Sequence, residues 1–165
     1  MRKIVIMVLS LLVLVGCDGP PMSIEAQIKK TTPEISIIGA PDKKIKSERG
    51  SYEWAGSAAM VDFAGPEGFL NSQTLVQVKP TDKLLLKIPT EVKSVSLDDI
   101  MLEVSPKSGK TLEKAAYKKL ESGKWEVGLA LEPGQYMYTL KTKYRKNMDE
   151  LYFVEYIFGV EIKND

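Results

Sequence analysis

From residue 124 onward the chain alternates apolar and polar positions with a period of two, and such a segment has one stable home, a half-buried β-strand. Trp125, Val127, Leu129 and Leu131 fall on one face of the first such strand, with Lys124, Glu126, Gly128 and Ala130 on the other. Glu132-Pro133-Gly134 turns the chain, after which Tyr136, Tyr138 and Leu140 alternate with Gln135, Met137, Thr139 and Lys141. Finally Tyr152, Val154, Tyr156, Phe158, Val160 and Ile162 share a face of a long strand whose other face carries Leu151, Phe153 and Ile157. Being apolar on both sides, that strand is expected at the centre of a sheet or under a cover. Trp125 leads an apolar face and is expected in the core.

Shorter runs of the same kind precede it, at Ile35 to Ile38, Lys44 to Ser47, Ser51 to Trp54, Thr74 to Val78, Lys83 to Ile88, Ser94 to Leu97 and Ile100 to Val104. Pro, Gly, Asp and Ser clusters separate them. About seven to nine strands are expected, which fits an all-β, immunoglobulin-like antiparallel sandwich of two sheets. Lys110 to Glu121 is open between a short helix, with Leu112, Ala115, Ala116 and Leu120 on one face, and an irregular strand. The Pro133-Gly134-Gln135-Tyr136-Met137-Tyr138 run looks like strand F of immunoglobulin-like domains. Tyr136 then either bonds back to the preceding turn, as a tyrosine corner does, or simply fills core.

A length of 165 residues with 44% hydrophobic content allows one ordinary domain with a real core. Its start is not part of that domain. Met1-Arg2-Lys3 is followed by Ile4 to Val15, apolar except for Ser10, the layout of an export signal. As a helix the apolar run would span roughly 18 Å, short of the roughly 30 Å hydrocarbon core of a bilayer. It ends in Leu14-Val15-Gly16-Cys17, which resembles the bacterial lipobox. That resemblance implies a diacylglyceryl thioether on Cys17, cleavage between Gly16 and Cys17, and a mature chain anchored on the extracytoplasmic face of the cell membrane. Residues 1–16 are therefore read as a removable signal peptide, 17–33 as lipidated cysteine and flexible tether, and 34–165 as the sandwich.

The residue types that are missing narrow the chemistry. There is no histidine, which removes Ser-His-Asp and Cys-His catalysis and the commonest transition-metal ligand. Cys17 is the single cysteine, so no intrachain disulfide forms. The formal charge is +1, and losing Arg2 and Lys3 with the leader takes it to −1. No nucleic-acid partner is expected from so balanced a chain. No metal, cofactor or catalytic residue is expected either: Asp62, Glu67 and Asn71 lack EF-hand-like spacing. Asp98 and Asp99 read as a solvated turn, and the Ser105 to Lys110 run, with Ser105, Lys107, Ser108 and Lys110, as a hairpin rim rather than a Ser-Lys site.

Gly50-Ser51-Tyr52-Glu53-Trp54, then Asp62, Pro66 and Leu70, and the late Pro133-Gly134-Tyr136-Tyr138 pattern resemble a group of Bacillus-type cell-surface lipoproteins without an assigned activity. Members often carry cysteines where Glu53 stands and near Met60, so no disulfide of that group transfers here. The resemblance implies location rather than chemistry. Tyr52 and Trp54 share a strand face beside the small-residue-rich segment Ala55 to Gln73, which contains Asp62. They either form a carbohydrate or peptide platform or fill the sandwich core. The expected function is a non-catalytic, membrane-anchored module whose partners are the membrane, through the Cys17 lipid, and an envelope protein or ligand. The alternatives are a structural or sensory accessory of an envelope complex, and an enzyme with an unusual Ser/Lys or carboxylate site.

Overall fold

The computed structural model describes residues 22–109, 113–129 and 131–164; Gly16, Cys17 and the expected signal peptide lie outside them. The elements in chain order are α1 (Ile24–Lys29), β1 (Glu34–Ile37), β2 (Ala40–Ile45), β3 (Glu48–Trp54), β4 (Ser57–Ala59), α2 (Gly65–Ser72), β5 (Val76–Val78), β6 (Lys83–Lys87), β7 (Glu91–Val92), β8 (Val95–Pro106), β9 (Glu113–Lys114), β10 (Tyr117–Glu121), β11 (Lys124–Gly128), β12 (Gly134–Arg145) and β13 (Leu151–Ile162). They build an all-β sandwich. One sheet runs β10-β11-β6-β1-β2 and the other β4-β3-β13-β12-β8-β7, with β5 added parallel to β13 and β9 antiparallel to β8. The described strands number more than the seven to nine expected: β4, β7 and β9 are edge pieces of two or three residues, too short to show a period, and β10 lies in the stretch left open between helix and strand.

Alternation explains the layers. In β12, Tyr138, Leu140, Thr142 and Tyr144 are buried between the sheets, while Thr139, Lys141, Lys143 and Arg145 lie on the outer face. β12 and β13 pair over their full lengths, from Gly134 opposite Ile162 to Arg145 opposite Leu151. As its doubly apolar pattern requires, β13 sits between β12 and β3, and its outer face is covered where α2 sets Phe69 and Leu70 against Met137 and Ile157. Gly159 makes that cover possible: a Cβ there would lie 2.7 Å from Leu75 Cδ2 and 2.8 Å from Leu70 Cδ2. Between the sheets Tyr138 stacks on Phe158 with ring centroids 5.0 Å apart, and Trp125 is buried as expected. The Tyr136 hydroxyl donates to the Glu132 carbonyl at 2.8 Å, which is the tyrosine-corner bond.

Two readings are corrected and one open choice is resolved. The stretch from residue 22 to 33 is no tether: Ser23 Oγ caps α1 at the Ala26 amide, Ile28 is fully buried in the core, and the Thr31 hydroxyl bonds that of Tyr156. Ile24 and Ile28 are one helical turn apart, too brief a repeat to stand out among prolines and lysines. Of the stretch Lys110 to Glu121, left open between helix and strand, the described residues 113–121 carry the strands β9 and β10. Ser94 to Leu97 and Ile100 to Val104 are one strand, β8, because Asp98 is an extra residue: Lys143 faces Asp99 while Tyr144 faces Leu97. The bulge puts both aspartates on a strand, not in a turn.

Candidate functional site: a polar cleft at one sheet edge

The two long sides of the sandwich are closed differently. On the side of β3 and β13, α1 packs across the opening. Its Glu25 pairs with Arg49 at 2.6 Å, Gln27 accepts from the Trp54 indole N–H at 3.4 Å, and Ile28 enters the core. On the other side no helix intervenes among the described residues. The β10–β11 hairpin faces β7 and β8 across a cleft of about 310 Å³, and Tyr117 spans the gap by donating its hydroxyl proton to the Ile100 carbonyl at 2.8 Å. That volume is at the low end for small-ligand sites. Glu91, Asp98, Asp99, Tyr117, Lys119 and Trp125 supply its charged and aromatic walls, and the Ser96 and Ser122 hydroxyls line it as well.

Local structure places each group. Tyr117 and Lys119 are two apart on β10 and so share a face, which sets the Lys119 ammonium 5.8 Å from the Trp125 ring centroid. The bulge turns Asp98 toward β12, where Arg145 Nε and one terminal guanidinium nitrogen each donate at 3.0 Å and Lys143 Nζ lies 3.0 Å away. The Arg145 fork, then Lys143, hold the Asp98 carboxyl down at about 2. Burial, and then the charge of Asp99, push the Tyr117 hydroxyl up. Glu91 and Asp99 make no ion pair among the described residues, so the cleft offers carboxylates, hydroxyls and aromatic edges together.

A carboxyl-selective NMR titration should give an Asp98 midpoint near 2 instead of the ordinary 3.8. Because the folded-state value is lowered, the stabilisation from this pair is present in full above 3.8 and is lost as pH falls through 2. A midpoint close to 3.8 would show that Arg145 and Lys143 do not hold the carboxylate in solution.

The residues singled out from the sequence lie elsewhere. Trp54 is fully buried, with its ring 4.9 Å from Tyr152 and 5.4 Å from Tyr144, so it is core and not a ligand platform. Tyr52 is half-buried under the Arg49 guanidinium, 5.2 Å from the ring centroid. Asp62 is exposed in the segment between β4 and α2. These three do not converge. Ser105 is buried within β8, and Lys107 Nζ donates to Gln135 Oε1 at 2.9 Å. Sequence reasoning missed Glu91, Tyr117 and Lys119. The available signal was the spacing of Tyr117 and Lys119, once β10 is read as a strand.

No protein-family model and no curated protein sequence matches the chain. Among solved structures it is similar to a cellulose-active polysaccharide monooxygenase from M. thermophila, at 11% identity and a TM-score of 0.43 over 80% of this chain and 77% of that one. At that distance the likeness carries no functional argument.

Proposed function

We propose that the protein is a lipid-anchored, non-catalytic binding module of the extracytoplasmic membrane face, and that it takes an envelope ligand in the cleft between β8 and the β10–β11 hairpin. One observation carries the reading. α1, the first described element after Cys17, closes one side of the sandwich, and the open polar cleft is on the opposite side. Ile24, where α1 begins, follows Cys17 by seven residues, so an anchor there holds the start of α1 within about 25 Å of the lipid. The cleft then opens away from the attachment point. A binding role also agrees with the pairing inside the cleft. Asp98 is tied up by Arg145 and Lys143 and titrates far below neutrality, whereas general acid-base work calls for a group titrating near the working pH.

The test is photo-crosslinking in intact cells from a photoreactive residue placed at Ser122, in the cleft wall, compared with the same residue at exposed Asp42 on β2. Adducts severalfold stronger at 122 than at 42, and weakened by Ser96→Trp, are the expected result. Equal adducts at both positions, or none at 122, would overturn the reading.

A further inference from the structure

Along its free edge β8 is covered at both ends and bare in the middle. β7 pairs with Val95 and Ser96, and the Leu97 amide donates to the Thr90 carbonyl at 2.7 Å. Toward the other end β9 pairs with Glu103 and Val104, and the Ala115 amide donates to the Leu102 carbonyl at 3.0 Å. Asp98 to Met101 have no strand partner on that side among the described residues. Backbone directions alternate by residue, so Ile100 points its N–H and C=O the same way as Leu102, away from β12 and into the cleft. Both groups are satisfied by side chains. The N–H donates to Asp99 Oδ1 at 2.8 Å, and the C=O accepts from the Tyr117 hydroxyl at 2.8 Å. An incoming strand can exchange such bonds one for one, whereas it cannot displace a ladder.

We infer that the ligand of this cleft is an extended peptide segment that adds to the β8 edge between β7 and β9, its backbone taking over both hydrogen bonds of Ile100. The inference rests on the cleft-binding reading above and gives it a ligand class. In the antiparallel pairing the ligand residue opposite Ile100 donates its N–H to the Ile100 carbonyl and accepts from the Ile100 N–H. Its side chain enters the space between the sheets, toward Trp125. The residues on either side of it point outward beside Asp99. That carboxylate and Glu91 are without ion pairs among the described residues, so the segment carries lysine or arginine at those flanking positions.

The probe is acetyl-Thr-Lys-Val-Lys-Thr-amide, titrated by NMR into the full chain in detergent, with the valine-N-methylated peptide as comparison. Saturable shifts centred on the Ile100 and Tyr117 signals, absent with the N-methylated peptide, are expected. Tyr117→Phe keeps the ring but removes the competing donor. It should bind the probe about fivefold more tightly, the change that one ordinary hydrogen bond is worth. No saturable shift, equal binding of the N-methylated peptide, or unchanged or weaker binding by the Tyr117→Phe protein would each overturn strand addition. Crosslinks from position 122 in cells with a silent probe would remove this inference and leave the binding cleft; loss of those crosslinks would remove the cleft itself.

Discussion

Trp54→Ala should be the most damaging single substitution in the folded domain, lowering the urea midpoint by roughly 1 to 5 M. Trp54 is fully buried at the end of β3 and touches two rings, Tyr144 and Tyr152, that face each other across the β12–β13 hairpin. Truncating such a residue costs about 3 to 5 kcal/mol in transfer and cavity terms. Whole domains are worth only about 5 to 15 kcal/mol, so a fifth or more of the stability is at stake. Dividing that cost by an m-value of about 1 to 3 kcal/mol per molar gives the midpoint shift. The loss also removes the indole N–H that Gln27 accepts, so α1 should fray before the sheets separate, and its amides should lose exchange protection first. A midpoint unchanged within a few tenths of a molar would show that the ring does not seat between Tyr144 and Tyr152.

The second large effect is at Cys17. Cys17→Ser should abolish incorporation of labelled fatty acid completely, because the thioether implied by the lipobox resemblance needs sulfur as nucleophile and a hydroxyl does not replace it. The uncleaved precursor, still carrying residues 1–16, should accumulate. Each buried methylene of an acyl chain contributes about 0.8 kcal/mol, and one chain alone anchors marginally, so a doubly or triply acylated cysteine separates a durable membrane fraction from none. Equal label on wild type and mutant would end the lipoprotein reading and with it the orientation argued for the cleft. Folding of the sandwich is not expected to change, which separates this outcome from that of Trp54→Ala.

The fold was legible wherever a period had room to repeat. β12 and β13 run for twelve residues each, and their inward faces are readable at Tyr136, Tyr138 and Leu140 and from Tyr152 to Ile162, with the tyrosine corner at Tyr136 one of two readings that the sequence leaves open. Trp125 was placed in the core for the same reason. Short elements were not legible. The six residues of α1 and the two of β7 hold too little pattern, and what makes them ordered is the tertiary seat of Ile28 and Val92 in the core. The eight residues of α2 open on Gly65 and Pro66, which read as turn residues until Phe69 and Leu70 find Met137 and Ile157.

The site was harder still, because a cleft between sheet edges is written nowhere in local sequence. Asp98 and Tyr117 come together only after β11 has paired with β6 and β8 with β12. The bulge that aims Asp98 at Arg145 depends on a one-residue mismatch between two strands, which neither strand reveals alone. Tyr52 and Trp54 were read as a pair, but the choice between platform and core was made by the partner strand β13, not by their own spacing.

The order of strands also sets a timetable. β13 is bonded to β12, β3 and β5, and its Tyr156 meets Thr31, 125 positions earlier. The residues at the centre of the larger sheet are therefore synthesised after its other strands, and those earlier strands wait for them. Until about residue 162 has left the ribosome, the β12–β13 pair that stands between β3 and β8 is incomplete, and the growing chain has half a core. Pairings between residues so distant in sequence close slowly, because chain entropy is lost before many contacts are gained. A chain built this way can pair its smaller sheet early, but assembles its larger sheet only when β13 arrives.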